Sequence, residues 1–152
     1  MSTKPSIIIV PGSFSHAWFY DDLVSALQSH GYPTQVVDLR TTRDDTIPPA
    51  NMFDDAAYIH ESAEKLVNEG KEVVLIPHSY GGIPTTESAK GLLKSDREKQ
   101  GEKGGIVRIV YLTALLPPVG GSAQTLLKDL PFDTIVMGVS LLATSLTYQN
   151  HC

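Results

Sequence analysis

The stretch that most constrains this chain is Glu72-Val73-Val74-Leu75-Ile76-Pro77-His78-Ser79-Tyr80-Gly81-Gly82. An apolar, β-branched run ends at a polar serine, and two glycines follow. The segment from Ile83 to Leu93 then reads as a helix. A strand that runs into a tight turn carrying a Ser, and out into a helix, has the layout of a nucleophile elbow. There a sharp turn pushes a hydroxyl out at the carboxyl end of a parallel strand. A glycine after Tyr80 suits this reading, because so tight a turn brings backbones together and needs a residue without Cβ.

The rest of the chain supplies a matching frame. Ser6-Ile7-Ile8-Ile9-Val10 is short and apolar on both faces, as a strand inside a doubly covered parallel sheet must be. Pro11-Gly12-Ser13 stops it. The loop Phe14 to Trp18 leads to a helix from about Phe19 to His30, with Phe19, Leu23, Ala26, Leu27 and His30 at helical spacing and Gly31 at its end. Gln35 to Leu39 is a second strand, and Thr41 to Ala50 is a polar, Pro-containing loop. Met52 to Glu69 is a helix with Met52, Ala56, Ile59, Ala63, Leu66 and Val67 on its apolar face. Val73 to Ile76 is the third strand, and Pro84 lies in the first turn of the helix after it, where a missing N–H does no harm. Lys94 to Gly105 is charged and Gly-rich and reads as an exposed loop. Ile106 to Leu112 is a fourth strand, followed by the loop Thr113 to Ser122. Strands alternating with helices predict an α/β fold, a parallel sheet with right-handed crossovers and helices on both faces. Ligands in such sheets bind beyond the carboxyl ends of the strands. Pro11–Trp18, Asp38–Arg43, His78–Gly82 and Thr113–Gly121 all belong to that edge.

Composition narrows the partners. At 152 residues the chain is long enough for one domain with a real core. A net charge of −5 argues against nucleic acid or an anionic membrane surface as partner. No apolar run approaches the roughly 18–20 residues of a membrane span, and the N-terminus has no signal-peptide pattern. The single cysteine, Cys152, offers neither an intrachain disulfide nor a metal cluster, so a reducing, cytoplasmic location is expected. The sequence is silent on oligomeric state.

Four features coincide: the Pro11-Gly12-Ser13 loop with Trp18 after it, the elbow, the four-strand pattern, and Ala114-Leu115-Leu116-Pro117 after the fourth strand. Together they resemble the α/β-hydrolase superfamily, and within it the methylesterase and hydroxynitrile-lyase branch. The resemblance implies hydrolysis of small-molecule carboxylic esters, with no cofactor and no metal. It makes Ser79 the nucleophile and gives the backbone N–H groups of Ser13 and Tyr80 the role of oxyanion hole. The sequence departs from the family in having Pro77 where the elbow motif has its first glycine. The family places its acid and His after later strands, in the order Ser, acid, His. No such strands, acid or His are recognisable here, so the expectation is an incomplete α/β-hydrolase fold lacking its last strands. Residues 1–135 would be the N-terminal part of the hydrolase domain and residues 136–152 an atypical tail, as in a truncated product whose last residues come from an alternative exon or an unremoved intron. Activity is therefore in doubt, and the alternative is a catalytically inactive fragment or a non-catalytic binding homologue.

The remaining residues receive plainer readings. Phe14 and His16 lie on the same edge as Ser79 and are candidates for substrate contact, with an ordinary surface loop as the bland alternative. His78, inside the elbow, reads as structural and pointing away from Ser79. His30 ends a helix, where a cation suits the dipole, and His60 lies on a polar helix face. Asp38 reads as structural, because no G-x-G-x-x-G precedes it. Asp54 and Asp55 read as a helix start. Trp18, Phe19 and Tyr20 read as pocket rim and core. Asp129 and Asp133 are acids by type only, and His151 is the one His of the tail.

Overall fold

Each β-branched run forms a strand: β1 (Ser6–Val10), β2 (Thr34–Val36), β3 (Glu72–Pro77) and β4 (Gly105–Ile109) pair in the order β2-β1-β3-β4, every pair parallel. The structure is a computed structural model that describes residues 4–43 and 47–128. The sequence readings at Asp129, Asp133, residues 134–139, residues 141–146, His151 and Cys152 lie outside the described residues. The chain divides between Leu116 and Pro117 into two compact units.

In the first unit, the strand order dictates where the helices go. The connection from β1 to β2, through α1 (Asp21–Ser29), steps one way along the sheet. Those from β2 to β3, through α2 (Met52–Asn68), and from β3 to β4, through α3 (Gly82–Ser88) and α4 (Lys94–Lys99), step the other way. Right-handed crossovers therefore put α1 on one face and α2 and α3 on the other. The buried core lies under α2 and α3: alternate residues Ile8 and Val10 of β1, Val73 and Leu75 of β3, and Ile106 of β4 meet Ile59, Ala63 and Val67 of α2. Asn51 caps α2 by accepting from Phe53 N at 2.8 Å, while Asp54 accepts from Asn51 N at 2.8 Å.

Several elements differ from the sequence reading: the fourth strand, read as Ile106–Leu112, is Gly105–Ile109, and the helix after β3, read to Leu93, ends at Ser88. The second strand stops at Val36 rather than running to Leu39. Val37 N still donates to Ile9 O at 3.0 Å, but Asp38 then accepts from Arg43 and the chain turns through a 3-10 turn at Arg40–Thr42. The charged stretch after Leu93, read as an exposed loop, contains α4. Its anchor is Arg97, 7% exposed, whose guanidinium donates to Val67 O, Asn68 Oδ1 and Lys103 O and pairs with Glu102. A cation that satisfies carbonyls in two separate segments looks like a solvated charge in sequence. Finally, the apolar positions of α1 form no buried face: none of its residues is buried, and Phe19, just before it, is 56% exposed.

β4 carries a bulge at Val107, since Val73 pairs with Ile106 and Val74 with Arg108. In the second unit, Ser122 caps α5 (Ala123–Leu127) by accepting from Thr125 N at 3.2 Å. No helix among the described residues is long and apolar enough to cross a membrane.

Candidate functional site

β1 is flanked by β2 on one side and β3 on the other, so the loops after β1 and β3 leave in opposite directions and open a crevice between them. Both sequence-predicted loops emerge there. Pro77 closes β3 in register with Val10, at the strand end where a missing N–H is tolerated. The chain then reverses sharply: Ser79 sits at φ 52°, in the left-handed region that L residues avoid.

That conformation is held by backbone bonds to the end of β1 and to the chain beyond β4. His78 N donates to Val10 O at 2.9 Å, and Ser79 N to Leu112 O at 3.3 Å. Leu115 N donates back to Ser79 O at 2.8 Å, and Gly81 N to His78 O at 2.9 Å. The two glycines are required by close approach. A Cβ on Gly81 would lie 2.5 Å from Pro11 O, and one on Gly82 2.5 Å from Leu115 O. Phe14 (φ 58°) and Thr113 (φ 42°) are also left-handed. The non-glycine positive-φ residues described thus fall on the loops after β1, β3 and β4, all at the carboxyl edge, where strain at functional sites collects.

The predicted oxyanion donors lie on the two loops that meet. A Cβ on Gly12 would be 3.1 Å from Ser79 Cβ, so the β1 loop and the elbow are nearly in contact. Among the described residues, no acceptor pairs with the backbone N–H of Ser13 or of Tyr80. Nor does any described side chain hydrogen-bond to the Ser79 hydroxyl. Phe14, 89% exposed, and His16 lie on the β1 loop. The His16 ring stacks on Trp18, centroids 6.2 Å apart, and tilts against Phe19.

Several residues do more than their sequence reading foresaw. Asp55, read as a helix start, is fully buried and accepts from Thr41 N (3.0 Å), Thr41 Oγ1 (2.7 Å) and the Tyr80 hydroxyl (2.9 Å). It ties the turn after β2 to the elbow. Tyr20, read as packing, places its hydroxyl 2.9 Å from His78 Nδ1 and accepts from Gly12 N at 3.2 Å. His60, read on a polar face, lies within hydrogen-bond distance of Ser88 O through Nδ1 at 2.8 Å and so joins α2 to α3. None of these has a local sequence signature, since each partner is 8 to 58 residues away. A cavity of about 590 Å³ opens beside Arg40, Asn51, Tyr58 and Glu61, but neither Ser79 nor an oxyanion candidate lines it.

Burial, then the hydrogen bond and charge of Asp55, holds the Tyr80 phenol well above the ordinary tyrosine range. In the unfolded chain it ionises near pH ~10. Above that pH the unfolded state binds fewer protons than the folded one, so stability present below it is lost as pH rises toward the folded value. Thermal melts are expected to show a steeper loss of stability above about pH 10 for the native chain than for Tyr80→Phe. Equal slopes would show that Tyr80 is not held protonated.

Comparison with known proteins bears on this architecture. Residues 7–147 match the Alpha/beta hydrolase family. A probable hydrolase of a Phoma species is 41% identical over 121 residues, covering 79% of this chain and 46% of that protein. Tomato methylketone synthase I, solved with 2-tridecanone, is 20% identical with a TM-score of 0.63, over 84% of this chain and 46% of that one. Polyneuridine aldehyde esterase is 21% identical with a TM-score of 0.63, over 86% of this chain and 49% of that one. The chain thus spans about half the length of the relatives it matches. With its parallel sheet, its strained Ser turn at the crevice and a family match over most of its length, the chain belongs to the alpha/beta hydrolase family.

Proposed function

We propose that this chain carries the nucleophile and oxyanion donors of a hydrolase acting on small-molecule carboxylic esters. The observation that carries the reading is Ser79 at φ 52° in the crevice between β1 and β3, with N–H groups of Ser13 and Tyr80, which no described acceptor pairs, on the loops that meet there. Ser79 Oγ attacks the ester carbonyl and forms a C–O bond while its proton leaves to a base. The carbonyl electron pair moves onto oxygen, where the two N–H groups stabilise it. The carbonyl re-forms as the bond to the alcohol breaks, and the alcohol takes the proton. Water then releases the acid from the acyl-enzyme. Phe14 and His16, on the donor loop, contact the bound ester. The ester as substrate is supported by the family and by the fold shared with polyneuridine aldehyde esterase.

A second reading, a non-catalytic homologue that binds such a ligand, is favoured by one observation. No described His or carboxylate is bonded to the Ser79 hydroxyl. Loss of a base costs about four to six orders of magnitude in well-studied serine hydrolases, yet donors and binding leave a residual rate. A fluorophosphonate probe separates the readings. Slow covalent labelling of the folded native chain, abolished in Ser79→Ala, is expected. No labelling of a chain shown by circular dichroism to be folded would leave only the binding reading.

A further inference from the structure

The two oxyanion donors of the proposed site sit on separate loops, and a hole built that way works only if the loops hold a fixed distance. Donors must lie about 2.7–3.1 Å from the developing charge, and a site left loose by even about 1 Å loses much of its rate. One side chain touches both loops. The Tyr20 hydroxyl accepts from Gly12 N at 3.2 Å, one residue before Ser13. The same oxygen is 2.9 Å from His78 Nδ1, two residues before Tyr80. The oxygen serves both contacts when the Tyr20 O–H donates to Nδ1 and the imidazole proton sits on Nε2. Its backbone is placed by the 3-10 turn Ala17–Tyr20, which Tyr20 ends, and by its N-cap position at the start of α1. Its ring meets that of His78 edge-on, centroids 6.1 Å apart.

We infer that Tyr20 is a positioning residue that sets the spacing of the oxyanion donors, by clamping the β1 loop to the elbow through Gly12 N–H and His78 Nδ1. The inference rests on the proposed role of Ser13 and Tyr80. It gives His78 a reason to be histidine at a place where neither the turn nor the strand asks for one. It also makes the clamp a property of a single oxygen, so removing that atom while keeping the ring isolates it.

The test compares native chain, Tyr20→Phe, His78→Leu and the double variant. Fluorophosphonate labelling is resolved into probe affinity and rate at saturation, and amide hydrogen exchange is followed at Gly12 and at His78, whose N–H bonds to Val10 O. A clamp predicts that either single variant slows saturated labelling about tenfold with affinity within about twofold, because the lost interaction acts on the transition state. The double variant is no slower than the worse single one, as for two ends of one linkage. His78→Asn, whose side-chain amide places a polar atom near the Nδ1 position, recovers most of the rate. Exchange at both Gly12 and His78 speeds up together in Tyr20→Phe. Unchanged saturated labelling, or faster exchange at Gly12 alone with His78 unmoved, overturns the clamp. If the native chain is not labelled at all, the hydrolase reading fails while the exchange arm still decides the clamp. If Tyr20→Phe does not fold, His78→Leu tests the linkage from its other end.

Discussion

Gly81→Ala is expected to destabilise the chain by roughly 3 kcal/mol or more, at the upper end of what over-packing produces. The added Cβ would lie 2.5 Å from Pro11 O and 2.8 Å from Val10 O, both backbone atoms of β1 and its loop. A side chain can rotate away from a new methyl group, but these are main-chain oxygens, and Val10 O is held by the bond from His78 N, so β1 and β3 would have to part at the crevice. Gly91→Ala provides the comparison. It has no atom within 4 Å of its Cβ and only a left-handed φ of 78° against it, so about 1 kcal/mol is expected there. Urea melts followed by circular dichroism would read both. A Gly81→Ala midpoint no lower than that of Gly91→Ala would show that the elbow is not packed as described.

Asp55→Ala is expected to cost roughly 2–3 kcal/mol, since three hydrogen bonds to one fully buried carboxylate are lost, their donors on an exposed Thr41 and a half-buried Tyr80. Thr41 N, Thr41 Oγ1 and the Tyr80 hydroxyl all donate to this one carboxylate. Asp54→Ala, one residue earlier, removes only an exposed capping bond, worth about 1 kcal/mol. The contrast between adjacent aspartates is the informative measurement. If the two variants melt alike in urea, Asp55 is a helix-start residue and no more. Asp55→Asn should fall between them, because it keeps an acceptor oxygen and loses the charge.

These two sites also mark what the sequence does and does not disclose. Gly81 was legible: a tight turn between a strand and a helix forces a residue without Cβ, and that logic needs no partner. Pro77 at the strand end and the parallel order of strands follow from equally local rules. Asp55 was not legible, because at the front of a helix an aspartate has a sufficient local explanation, and nothing nearby hints at Tyr80 twenty-five positions on. Arg97 fails in the same way, its charge read as solvated while its donors reach two other segments. The apolar spacing of α1 did predict a helix, but spacing alone does not say whether that face is covered. For the candidate site, the tight turn at Ser79 and the loop after β1 could be read, whereas the Tyr20 hydroxyl joining them could not. Long-range polar contacts leave no periodicity behind.

The left-handed backbone at Ser79 has one more consequence. Judged by conformational energy alone, position 79 would be filled by glycine, which adopts φ 52° without the roughly 1–2 kcal/mol that a Cβ adds there. The neighbouring positions 81 and 82 show that this chain uses glycine freely where geometry demands it. A serine at this position therefore carries a conformational cost that glycine would not, and the proposed nucleophile role gives that cost a purpose.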